Sequence, residues 1–137
     1  MSHYNDCILY LFAKAYQKTH GNFKRHLQEY GLTPAQSLVI MALWEDEGRS
    51  AGELGKKLSL DYATLSGILD RLAVGGWIIK KTSEDDRRAL QIYLTSKGRD
   101  MTGIVLKVRD DVDEEILGTF NMEEKLLLKR MLKDLLR

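Results

Sequence analysis

Apolar residues recur in this chain with two different periods, and the change from one to the other marks out its elements. Over residues 3 to 30, Tyr4, Ile8, Leu11, Ala15, Phe23, Leu27 and Tyr30 recur at helical spacing, and Gly31 supplies a stop. Thr33-Pro34-Ala35-Gln36 opens a second helix: a threonine able to cap, the chain's only proline at the first helical position, and a glutamine three residues after the cap. Its body, Leu38-Val-Ile-Met-Ala-Leu-Trp44, is apolar on every side, which predicts burial all round. After Thr95, the spacing of Met101, Ile104, Val105, Val108, Val112 and Ile116 predicts a helix from about Ser96 to Leu117. Asn121, with Glu124 three residues on, caps a last helix. Its Leu126, Leu127, Leu128, Met131, Leu132, Leu135 and Leu136 outnumber what one face needs.

Between residues 50 and 95 the pattern changes twice. Ser50 and Glu53 have capping-box spacing, with Ala51, Leu54 and Leu58 at helical positions behind them. Ser59-Leu60-Asp61 then turns the chain into another helix with Asp61 as its cap. That helix buries Leu65, Ile68, Leu69 and Leu72, so Tyr62, Ala63, Ser66, Gly67, Asp70 and Arg71 face outward with Thr64 at the margin. Such a small-residue surface can approach a groove closely. Gly75-Gly76 supplies the left-handed residue that ends it. Beyond, Leu90, Ile92 and Leu94 alternate with Gln91 and Tyr93 as in a half-buried strand, and Trp77 to Thr82 is the partner. The intervening Glu84, Asp85, Asp86, Arg87 and Arg88 belong in water or against a charged partner. The order is helix, turn, helix, strand, charged loop, strand, and the fold class is mainly α with a small β-hairpin.

In Asp61-x-x-Thr64-Leu-Ser66, Arg71-Leu72, Gly76-x-Ile78, Asp86-Arg-Arg88 and Leu94-Thr95-x-x-Gly98 the chain resembles the multiple-antibiotic-resistance-regulator (MarR) family of winged helix-turn-helix transcriptional regulators. The likeness runs over nearly the whole sequence. It implies a single domain, 1–137, in which residues 33–95 read double-stranded DNA while 1–32 and 96–137 pair two copies as a homodimer. Helix 61 to 74 would enter the major groove, with Tyr62, Ala63, Thr64, Ser66 and Gly67 facing it. Arg71, Lys56 and Lys57 would meet phosphates. The Asp86-Arg87-Arg88 wing would reach the minor groove, Arg88 making the contact and Asp86 orienting it. The surplus leucines of the last helix, with Leu9 and Phe12 near the start, independently call for a second surface.

Composition adds detail without changing this reading. The chain has 137 residues, 44% hydrophobic and 30% charged, enough for one proper core. Its net charge of +1 is unevenly spread: residues 48 to 99 carry ten Lys/Arg against six Asp/Glu, and the remainder carries eleven against fourteen. The basic excess therefore lies on the reading module. No run of eighteen apolar residues could span a membrane, and the first residues lack the basic-then-apolar order of a signal peptide, so a cytoplasmic protein is expected. Neither a metal nor another cofactor is implied. His3, His20 and His26 have no Asp/His/Ser arrangement of activating spacing, so an enzyme is not expected. Trp44 and Trp77 read as core. Cys7 is the lone cysteine. One branch of the resembled family senses peroxides through a cysteine in its first helix, but that position corresponds here to Leu9, about 200° around a helix from Cys7. A thiol redox switch at Cys7 and a winged helix used only for protein contacts remain the alternative readings.

The family resemblance also implies a small-molecule site between dimer helices and reading module, commonly for small aromatic anions. His20-Gly21-Asn22, poor helix formers inside a long helix, read as a kink, a gap or an exposed turn. Tyr16, His20 and Phe23 lie near one face there, with Lys14 as an anion partner, so an aromatic acid effector is expected. Packing within the core or dimer is the plainer alternative.

Overall fold

A computed structural model describes residues 3–85 and 90–137. A short 3-10 turn, Tyr4–Asp6, leads into α1 (Ile8–Leu27), followed by α2 (Pro34–Glu45), the two-residue strand β1 (Arg49–Ser50), α3 (Ala51–Leu58) and α4 (Tyr62–Val74). The hairpin strands β2 (Ile78–Thr82) and β3 (Leu90–Leu94) come next, then α5 (Ser96–Leu117) and α6 (Met122–Leu135). The sheet is antiparallel in the order β1-β3-β2, with Ile78 opposite Leu94 and Thr82 opposite Leu90. No helix among the described residues is long and apolar enough to cross a membrane.

The helix starts follow from their caps. Thr33 and Gln36 form the full capping box that opens α2, and Asn121 and Glu124 do the same for α6. Ser50 takes the Glu53 amide as expected, but the other half of the box does not form. Arg49 competes for the Glu53 carboxylate at 3.2 Å, and the Ser50 hydroxyl also donates to it. Gly76, at φ +78°, ends the α4 segment as its left-handed glycine.

One core joins the layers. Leu27, Val39, Ile40, Leu43, Leu54, Leu65, Leu69, Leu72, Ile92, Val105 and Val112 are buried together, and α5 lies against both α1 and α2. All four apolar positions expected on α4 are in it.

Three expectations need correction. The helix across His20-Gly21-Asn22 is unbroken, because α1 runs continuously from Ile8 to Leu27, and a glycine with nothing near its missing Cβ weakens a helix without bending it. The α2 helix is not buried all round: Val39, Ile40, Ala42 and Leu43 are, while Leu38 is 54% and Trp44 53% exposed. The core covers one side of α2 only, so of the two tryptophans expected inside, Trp77 is buried and Trp44 is not. The expected stripe of the first helix reaches the core only at its end, with Leu27 buried and Phe23 packed against it, while Tyr4, Ile8 and Leu11 are exposed. No residue of α6 is buried.

Candidate nucleic-acid interface and adjoining cleft

The α4 helix presents the expected outer face. Tyr62, Ala63, Thr64 and Arg71 are exposed, and Ser66 and Gly67 half-buried. Asp61 fixes its first turn by accepting the Thr64 amide at 2.7 Å, and that bond, with a further one from the Thr64 side chain, holds its carboxyl below the usual aspartate range. The turn before it is tight, for Ser59 adopts a left-handed backbone (φ 54°) and Leu60 donates its amide to the Gly55 carbonyl.

Other groups hold this helix in register with its neighbours. Lys80 of β2 pairs with Asp70 of α4 at 2.7 Å, tying the hairpin to that helix. Lys97 of α5 donates to the Gly75 carbonyl at 2.8 Å and lies 4.1 Å from the Trp77 ring centroid. Thr95 accepts the Gly98 amide as the cap of α5 and donates to the Gly76 carbonyl at 2.6 Å. Glu47 takes the Leu94 amide at 2.7 Å and the Arg99 guanidinium at 2.9 Å. These contacts give the Leu94-Thr95-x-x-Gly98 motif its physical meaning: it joins the end of α4, the hairpin and the start of α5. Sequence reasoning singled out Thr95 and Gly98 and placed Asp70 on the outer face, but did not find its partner Lys80, nor Glu47, Lys97 or β1. A two-residue strand is too short to carry a period, and the charged groups act across gaps in sequence of up to 52 residues.

Of the expected phosphate partners, Arg71 and Lys56 are exposed, whereas Lys57 pairs with Glu45 of α2 at 3.3 Å. Asp86, Arg87 and Arg88 lie outside the described residues. The guanidinium of Arg49 is held more firmly protonated than usual by Asp46 and then Glu53, so it serves the β1–α3 corner.

A cleft of about 350 Å³ opens between α1, the start of α2 and the helix-turn-helix. Tyr16, His20 and Phe23 of α1 line it as expected, opposite Leu38, Leu58, Leu60, Thr64 and Ile68. Thr64 and Ile68 make α4 part of its wall. Lys14 is not in its lining: its ammonium lies 5.7 Å from the Tyr10 ring centroid and 3.3 Å from the Gln17 side-chain oxygen. Cys7 is exposed and sits just before α1, not within it, so its separation from Leu9 is not a rotation within one helix. His26 is bound with Asn22 and Arg25 to Glu115 of α5, which clamps α1 to α5.

A profile of the MarR family matches residues 30–89. The HTH-type transcriptional regulator SarZ of Staphylococcus epidermidis is 30% identical over 118 residues, spanning 86% of this chain and 77% of SarZ. Among solved structures, a mutant MarR from E. coli complexed with operator DNA superposes with a TM-score of 0.88 at 25% identity, covering 100% of both chains. Bordetella bronchiseptica BpsR, whose DNA binding is regulated by 6-hydroxynicotinic acid, shares the fold with a TM-score of 0.91 at 24% identity, over 98% of this chain and 96% of its own. These relatives are regulators, not enzymes. With its capped recognition helix, its hairpin and this likeness, the chain belongs to the MarR family of winged helix-turn-helix transcriptional regulators.

Proposed function

We propose that this regulator is a cytoplasmic repressor that binds a two-fold symmetric operator as a homodimer and is released by a small aromatic or phenolic ligand. The observation that carries the reading is the outer face of α4. It is small over Ala63, which is exposed, and over the half-buried Ser66 and Gly67, capped by Asp61 and fixed to the hairpin by the Lys80–Asp70 pair. A helix so bare fits a major groove about 12 Å wide. Residues 33–95 form the reading module, with Tyr62, Thr64 and Arg71 at the DNA and the Asp86-Arg87-Arg88 segment, which joins β2 to β3 in sequence, at the neighbouring minor groove.

Residues 1–32 and 96–137 pair the two copies. Supporting this are the uncovered apolar side chains at both ends of the chain, Ile8, Leu9 and Phe12 on α1 and Leu126, Leu127 and Leu135 on α6. Two modules on one dimer must sit at a set separation to reach two half-sites. A ligand in the cleft bears on α1 on one side and on Thr64 and Ile68 of α4 on the other, so its occupancy shifts the population of separations. To weaken operator binding a hundredfold it must favour the non-binding arrangement by about 2.7 kcal/mol.

The test is DNA affinity across a salt series for the wild type and Arg88→Ala. The expected result is binding weaker by about 1–3 kcal/mol with a shallower salt slope in the variant. Identical isotherms would remove the wing from the interface.

A further inference from the structure

At helical spacing Ala63, Ser66, Gly67 and Asp70 fall on one side of α4, flanked by Tyr62 and Arg71. In a major groove, guanine and adenine are singled out chiefly by side chains that offer two hydrogen-bonding atoms: Arg or Lys on guanine, Asn or Gln on adenine. From Tyr62 to Asp70 the helix has none of these. Arg71 is the first, in the last turn and about 12 Å along the axis beyond Ala63, whereas recognition helices touch bases with their N-terminal residues. The carboxylates are committed within the chain, Asp61 to the Thr64 amide at 2.7 Å and Asp70 to the Lys80 ammonium at 2.7 Å, which leaves cytosine's amino group without a dedicated acceptor. The hydroxyls of Tyr62 and Ser66 both donate and accept, so they pair with several base edges and single out none.

What remains on this face has no hydrogen-bonding group. Ala63 presents an exposed methyl, and Gly67, one turn on, has nothing within 4 Å of where a Cβ would stand. A glycine inside a helix weakens it, and no neighbour in the chain claims the space, so packing gives no reason for it. The base that offers an apolar group in the major groove is thymine, through its 5-methyl. We infer that α4 selects its half-site by thymine methyl groups, one packed on the Ala63 methyl and one entering the space that Gly67 leaves, with no two-atom contact to guanine or adenine. This rests on α4 entering the major groove as proposed above.

The experiment uses the full chain and a symmetric duplex recovered by selection from random double-stranded DNA. The duplex is resynthesised with deoxyuridine for each thymidine in turn, which removes only the methyl group, and with 7-deaza purines, which lack the N7 acceptor. Affinity is read by fluorescence anisotropy. Uracil is expected to weaken binding about fourfold for each buried methyl, and 7-deaza purines to weaken it less at every position. Ala63→Gly should abolish one of the uracil penalties and keep the other. Gly67→Ala should raise the thermal unfolding midpoint yet weaken the thymine duplex more than its uracil counterpart. Uracil at no cost, a 7-deaza purine costing more than any uracil, or an Ala63→Gly variant that keeps every penalty would each overturn the inference. A pool that stays random would overturn the DNA reading together with it, whereas a symmetric motif indifferent to uracil overturns the inference alone.

Discussion

Gly98 sits where the first turn of α5 passes the Trp77 carbonyl, and a methyl group there would collide with that backbone oxygen. The Leu94 side chain also lies close, but the tightest contact is with backbone, which no side-chain rotation relieves, so Gly98→Ala should destabilise the protein by about 2 kcal/mol or more, read by urea unfolding. The position was legible in the sequence as part of a motif, but its reason was not, since Trp77 and Gly98 meet only after the hairpin folds back. Asp61 makes a second prediction. Its folded carboxyl titrates lower than in the unfolded chain because it accepts the Thr64 amide. Its contribution is therefore complete above the ordinary aspartate value near 3.9 and is lost as pH falls from there through the folded value. Asp61→Asn keeps a capping oxygen that does not titrate, so its stability should fall less steeply than the wild type's below about pH 4. Parallel acid unfolding curves would deny Asp61 this role.

The elements themselves were mostly legible because their ends carry local chemistry. Thr33, Asp61 and Asn121 each cap the helix read from them, and Gly31 and Gly76 are left-handed where stops were expected. What local chemistry could not supply was which faces are covered. Periodicity marks Leu38, Trp44, Leu9 and Leu126 as apolar without saying what they touch, and within one chain all four are exposed. The weak formers at His20-Gly21-Asn22 misled for a related reason: propensity is a small bias, and the Asn22, Arg25 and His26 bonds to Glu115, with Leu27 in the core, hold the helix across it. With α1 continuous and open space at the Gly21 Cβ position, Gly21→Ala should stabilise the protein by about 0.5–1 kcal/mol in thermal unfolding. A kinked helix would instead lose stability.

At the scale of the molecule, the apolar side chains left uncovered at the two chain ends lead to an expected dimer by sedimentation equilibrium. Removing residues from Asn121 onward should give aggregated or unfolded protein, and a folded monomer with undiminished DNA affinity would contradict pairing through the ends. The outward face of α4 was the most legible part of the candidate site, because it is the complement of the buried Leu65, Ile68, Leu69 and Leu72. The cleft was legible only on its α1 side. Its opposite wall comes from three further helices and the turn between two of them, and Lys14 lies outside its lining, which only packing could decide. The central claim, that two copies of this α4 read DNA together, is tested most directly by selecting bound sequences from a random pool of double-stranded DNA. The expected result is a two-fold symmetric motif with half-sites about 10 bp apart. A pool that stays random after repeated rounds, or one that converges on a single unpaired half-site, would contradict it.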